Sequence, residues 1–412
     1  MTRSARGTRH PPRIGLALAG GGPLGAIYEI GALCALDESV PGLDFSALEG
    51  YVGVSAGSFI AAGLANGITP RQLCRSFIEN EGPRDDVVRP SIFIRPALGE
   101  YARRLAMLPG LLAQAALHYA FERRSVLSTL ERVGRALPTG LFSHAPLEAQ
   151  MRLMLSSPGR SNDFRRLQRK LVLVATDLDS GASAPFGQPG WDHVPISQAV
   201  AASAALPGLF PPVPINGRWY VDGALKKTLH ATVLLDMQLD LVLCLNPLVP
   251  FARMGEDHHR LFRGSAAPIP HLVDGGLPVV LAQTFRSLIH SRLELGMKGY
   301  EASHPGTDIL LFEPDQRDPE MFLANTFAYS QRRLLAEHAY QQTRADLRSR
   351  RSHVAATLAA HGLQLDHAVL DDTQRRLLGP RHEGDGVLRR TLQRLYEVLR
   401  DLDGTVGALQ PR

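Results

Sequence analysis

The sequence predicts an α/β protein with three layers, α/β/α, built on a mainly parallel central sheet. Three observations predict it. Runs such as Ile14–Ala19 (IGLALA) and Leu171–Ala175 (LVLVA) are continuously apolar, as strands buried on both faces are. Helical stretches separate these runs, which is the order that parallel crossovers need. The chain has 412 residues, 44% of them hydrophobic, so it can bury a large core without metal or disulfide help.

Taken in order, Ile14–Ala19 is the first strand, closed by Gly20, Gly21 and Gly22. A helix follows from about Pro23 to Asp37, with proline at its first position, where no N–H is needed. Tyr51–Val54 is the second strand, and Ala56 to about Asn66 is a helix stopped by Gly67 and Pro70. Between residues 84 and 141 the pattern changes to an inserted helical hairpin. Its first helix sets Ala97, Leu98, Tyr101, Leu105 and Leu108 on one face, Pro109-Gly110 breaks it, and a second carries Leu111 to Tyr119. Two readings stay open there: a lid or membrane-facing element, or apolar faces packed on the sheet layer.

Leu171–Ala175 is the third strand and Val194–Ala205 a helix. Strands at Trp219–Val221, Leu239–Leu245 and Asp308–Phe312 complete the sheet. After Tyr340 only helical patterns remain, the clearest at Val387–Leu402, read as core cover, dimer contact or membrane contact. The expected organisation is a basic flexible tail at 1–13, one α/β unit at 14–340 with the insertion at 84–141, and a helical extension at 341–412.

Forty-five Lys+Arg against 40 Asp+Glu leave a formal charge of +5, too mild for a dedicated nucleic-acid binder. The basic residues are nearly all arginine, the lysines being Lys170, Lys226, Lys227 and Lys298, and guanidinium suits an anionic membrane surface at most. Cys34, Cys74 and Cys244 form no CxxC spacing, so no disulfide framework and no zinc site is expected. Ile14–Leu36 is largely apolar, but Gly-Gly-Gly-Pro and Glu29 interrupt it. Neither a signal peptide nor a transmembrane helix is expected, and a cytoplasmic or peripheral membrane location follows.

Three motifs carry chemistry. Gly53-Val54-Ser55-Ala56-Gly57 is a GxSxG pattern where a strand meets a helix; a sharp turn there exposes the serine hydroxyl, and glycines remove clashing side chains. Gly20-Gly21-Gly22-Pro23-Leu24-Gly25 also joins a strand to a helix, and its backbone N–H groups can converge on an oxyanion. Asp222-Gly223-Ala224 places a carboxylate at the end of a short strand. Gly20, Gly22 and Gly25 fit the dinucleotide fingerprint as well, but the next strand ends on Ser55 where that fold needs an acidic residue. His230, His258, His259, His271 and His290 could complete a triad by chain order, yet none has a strand-loop context and most read as surface residues. Asp177 and Asp179 read as turn formers, and Pro207, Pro211, Pro212 and Pro214 as stiffeners of the loop before Asp222.

In this order and spacing the three motifs resemble the patatin-like phospholipase family. LVLVATDLDSG at 171–181, AVAASAALPGLFPPV at 199–213 and TDILLFEP at 307–314 extend the resemblance over about 14–340. It implies a serine esterase or lipid acyl hydrolase with a Ser-Asp dyad and no cofactor. Ser55 would be the nucleophile, Asp222 the general base, and the N–H groups of Gly20, Gly21 and Gly22 the oxyanion hole. Gly25, Gly53, Gly57, Gly223 and Ala224 complete the motifs. Burial of Asp222 would raise its pKa and improve it as a base. The resemblance implies a lipid or acyl-ester substrate; the helical insertion and tail leave room for a peripheral membrane surface or a homodimer as partner, and the mild charge points to no nucleic acid. Two departures stand out: Leu24 replaces the family's usual arginine, and Lys227-Thr228-Leu229-His230 replaces its usual Asn-Pro. Leu24 keeps alive a non-hydrolytic lipid-binding or regulatory protein on the same scaffold; a dinucleotide-dependent enzyme is the minor alternative.

Overall fold

The computed structural model describes residues 11–83, 85–122, 136–227, 229–252, 271–318 and 331–379. Those up to Leu377 belong to one compact unit. The helix expected at 387–402, His258, His259 and most of the basic tail lie outside the described residues.

Eight strands form one sheet: β1 (Ile14–Leu18), β2 (Gly50–Val54), β3 (Lys170–Asp177), β4 (Ser183–Phe186), β5 (Val213–Ile215), β6 (Arg218–Asp222), β7 (Leu241–Leu245) and β8 (Asp308–Phe312). Their order is β5-β6-β3-β2-β1-β7-β8, with β4 also paired to β3. The central five, β3-β2-β1-β7-β8, are parallel, with Leu16 opposite Tyr51 and Leu243. At one side the pairings are antiparallel: β4 and β6 each to β3, and β5 to β6. The sheet is thus mainly parallel, as its apolar runs predict, with an antiparallel margin that they do not announce. That margin depends on turn chemistry. β5 and β6 form a hairpin through Asn216 (φ 51°) and Gly217 (φ 78°), a pair suited to the left-handed turn. β5 is an edge strand, which is where Pro214 is tolerated.

One face of the sheet carries α1 (Gly22–Ser39) and α2 (Ala56–Ala65). The opposite face, including Val52, Val172, Val242 and Cys244, packs under Leu229–Leu239 and two residues of a long helix, Leu293 and Tyr300. Between these runs lie α3 (Pro70–Leu73), α4 (Leu98–Glu122), α5 (Ala145–Leu155), α6 (Ile196–Ser203) and α7 (Thr232–Leu235); the long helix is α8 (Gly276–Ser303). α9 (Arg332–Ser349) lies across α1 so closely that a Cβ on Gly31 would stand 2.6 Å from the Ala336 carbonyl oxygen. α10 (Arg351–Ala360) and α11 (His367–Asp371) follow. The fully buried Arg344 ties them down by donating to the carbonyls of Val369 and Asp372, each at 2.7 Å. Residue 340, expected as the end of the α/β unit, therefore lies inside α9.

The insertion departs from expectation. Pro109 does not break the helix; α4 runs unbroken from Leu98 to Glu122. Pro109 leaves the Leu105 carbonyl without its helical N–H partner, and Leu105 is exposed, so that carbonyl is not stranded in a dry core. Of the apolar face expected at its start, Leu98 and Leu105 are exposed and Ala97 is buried.

Candidate active site

β2 ends at Val54 and α2 begins at Ala56, so Ser55 is the whole of the turn between them. Its backbone takes φ 52° and ψ −120°, a conformation that L-residues adopt only when the surroundings enforce it. The enforcement is visible. A Cβ on Gly53 would meet the Gly57 carbonyl oxygen at 2.5 Å, and one on Gly57 would meet the Ala19 carbonyl oxygen at 2.6 Å. The Gly57 N–H donates to the Ala19 carbonyl at 3.1 Å, joining this turn to the glycine loop. The Ser55 N–H donates to the Ser203 hydroxyl at 2.9 Å, and that hydroxyl donates on to the Val174 carbonyl at 2.7 Å. Ser203 comes from α6 and is fully buried. Sequence reasoning quoted it inside the 199–213 segment without giving it a role.

Gly20, Gly21 and Gly22 pass directly over the turn. A Cβ on Gly20 would lie 3.0 Å from the Ser55 Cβ and 3.6 Å from its hydroxyl oxygen. Their N–H groups have no hydrogen-bond partner among the described residues. Gly22 (φ 60°) opens α1, and the Gly25 N–H donates to the Gly21 carbonyl at 3.0 Å, so a positive helix end stands behind the loop. Pro247, just after β7, backs Gly21 and Gly25. Leu24 turns into the core, away from the serine cavity.

β6 delivers Asp222 beside the carboxyl end of β3, with Ala175 opposite it. Its Oδ1 accepts the Ala224 N–H at 2.8 Å, and its own N–H donates to the Ala205 carbonyl at 3.0 Å. Burial pushes this carboxyl up to about 6, against the smaller opposing pull of the nearby Ser55 hydroxyl and of the Ala224 N–H. Ser55, Asp222, Gly21 and Gly22 all open on one cavity of about 280 Å³. Its walls are otherwise apolar, with Phe59, Phe77, Phe93, Phe210 and Phe285 among them. Arg286 of α8 also lines it, its guanidinium drawn down to about 10 by burial. No sequence signal pointed to α8 as a cavity wall.

No histidine lines this cavity among the described residues. Of the histidines available by chain order, His230 and His290 are buried, against the general expectation of surface positions, while His271 is exposed. Burial beside Lys227 holds His230 down at about 4, while His290 bonds to Gln316 at 2.9 Å. Asp177 accepts the N–H groups of Asp179 and Ser180 at 3.1 and 3.0 Å, the turn-forming role expected of it.

A mainly parallel sheet whose second strand ends on a strained serine beside a glycine loop defines the class: an α/β protein with a sharp strand-to-helix turn at a serine. The chain belongs to the patatin-like phospholipase family, whose model matches residues 16–235. Lipid hydrolase is therefore its family-level description. Among solved structures it is similar to VipD from Legionella pneumophila, at 17% identity and a TM-score of 0.34, over 85% of this chain and 75% of that one. It is also similar to the type III effector protein ExoU, at 16% identity and a TM-score of 0.34, over 83% of this chain and 53% of that one. A third similarity is to the ExoU-SpcU heterodimeric complex from the type III secretion system of Pseudomonas aeruginosa, at 17% identity and a TM-score of 0.23, over 88% and 67% of the two chains. The chain thus spans about half the length of the ExoU chain it matches.

Proposed function

We propose that this protein is a serine lipid acyl hydrolase, with Ser55 as nucleophile, Asp222 as general base and the N–H groups of Gly20, Gly21 and Gly22 as oxyanion hole. The observation that carries the reading is Ser55, strained at its turn and facing the buried Asp222 carboxyl at the floor of an apolar cavity.

In this mechanism the Ser55 hydroxyl attacks an ester carbonyl while its proton passes to Asp222. The carbonyl oxygen becomes an oxyanion against the glycine loop. Collapse breaks the ester C–O bond, and the departing alcohol takes the proton from Asp222, leaving an acyl-serine. Water then attacks with Asp222 again as base. The fatty acid leaves and Ser55 regains its proton. A pKa pushed up to about 6 makes Asp222 a stronger base than an exposed carboxylate, yet one still ionised at neutral pH.

A fluorophosphonate probe on the full chain tests the reading. It is expected to label Ser55, and Ser55→Ala to abolish both labelling and hydrolysis across a panel of phospholipids, lysophospholipids, triacylglycerols and p-nitrophenyl esters. Full esterase activity in Ser55→Ala would sink the assignment.

A further inference from the structure

We infer that the mouth of the serine cavity is a docking surface for aggregated lipid, and that α8 is its principal element. This rests on the hydrolase reading above and extends it from a chemistry to a place of work.

α8 has two sides at this point. Ala282, Phe285, Arg286 and Ile289 line the cavity, while Leu277, Leu281 and Leu288 face outward at 69%, 44% and 56% exposure. Phe285 does both: it lines the cavity and is 48% exposed, so it stands at the rim. Leu206, on the loop before Asp222, also lines the cavity and is exposed. That loop is tied to the start of the insertion, because the Leu141 N–H donates to the Gly208 carbonyl at 3.2 Å and the Ala97 N–H to the Leu141 carbonyl at 3.1 Å. Exposed Ile94 sits there, next to Phe93 of the cavity wall.

Exposed aliphatic side chains gathered at one opening cost solubility and mark a contact surface. The opening itself selects the occupant. A protein seated on this rim would cap the cavity and shut substrate out. A surface made of substrate covers the same side chains and feeds the cavity at once. No described helix is long and apolar enough to cross a membrane, so the contact lies in the interface plane, where apolar helix faces bind by the area they bury.

The test pairs vesicle flotation with two activities, using the full chain and the double variant Leu281→Glu/Leu288→Glu, neither of which lines the cavity. Phosphatidylcholine vesicles with and without phosphatidylglycerol are the probe, and p-nitrophenyl butyrate in solution is the control substrate. The variant is expected to lose about tenfold in vesicle binding and vesicle hydrolysis while hydrolysing the soluble ester as the parent does. Should the double variant fail to fold, Leu277→Gln carries the same comparison with a smaller loss. Equal vesicle binding by parent and variants overturns the proposal. So does a parent that ignores vesicles of both compositions and dimerises through these leucines. If vesicle binding falls as expected but neither protein cleaves any ester, docking stands and the hydrolase reading fails.

Discussion

Asp222 carries the sharpest consequence at the scale of a residue. Its carboxyl titrates at about 6 in the folded chain, against an ordinary value of 3.8. The proposed base must be ionised to accept the serine proton, so kcat/KM is expected to rise with pH through about 6 and then level. The stability effect has the opposite sign. Between 3.8 and about 6 the native state binds more proton than the unfolded chain, so stability falls as pH rises across that window. Above it the buried carboxylate costs about 3 kcal/mol. Asp222→Asn is therefore expected to be nearly inactive, yet to unfold at higher denaturant concentration than the parent at pH 8, with the difference closing below pH 4. Paired denaturant titrations at the two pH values check it, and a variant less stable at pH 8 contradicts the burial argument. Ser55 and Asp222 were both legible as residues, because each ends a strand and sits among glycines. Ser203 was not: a serine inside an alanine-rich helix carries no local signal, and its role exists only where α6 meets the turn.

Elements were legible where their cause is local. The five central strands are short apolar runs, and sequence alone placed each within a few residues of its position. β4 and β5 were missed because they are four and three residues long and made by turns; the Asn216-Gly217 pair was the available signal. α4 was misjudged for the opposite reason, since a proline in an exposed helix releases a carbonyl to water and costs less than in a buried one. α8, at 28 residues, was not called at all. Its tertiary role shows in the two faces it presents, not in its composition. Close approach of helices gives the prediction at this scale. Gly31→Ala would set a methyl 2.6 Å from the Ala336 carbonyl oxygen and 2.9 Å from the Ala339 Cβ, forcing α9 away from α1. A loss of about 2 kcal/mol in denaturant unfolding is expected. An unchanged midpoint would mean that the two helices slide apart without cost.

For the molecule as a whole, the fold class and the family were legible, while the packing of the segment around residue 340 against α1 was not. The α/β motifs end near residue 314, and a helical pattern after 340 reads as an addition. In the structure α9 covers α1, Tyr340 donates to Glu38 at 2.7 Å, and Arg344 holds the segment that follows. The contacts of α9 and Tyr340 with α1 join residues about three hundred positions apart, which no local pattern reveals. A chain ended at residue 340 is accordingly expected to be insoluble or to lose its cooperative unfolding transition, measured by circular dichroism on heating. A truncated chain with the parent's transition would show that α9 is dispensable.

The Ala224 N–H has one further effect. Its bond to Oδ1 makes that oxygen the weaker base of the two and favours Oδ2 as the seat of the proton. On the proposed roles, departing alcohol and incoming water must then be served by the same oxygen, one after the other, at a single seat. The acyl-serine is committed only when the first guest has gone. Any hydroxyl compound that reaches the seat ahead of water inherits the acyl chain, so on these roles the fate of the lipid is settled by competition for one oxygen.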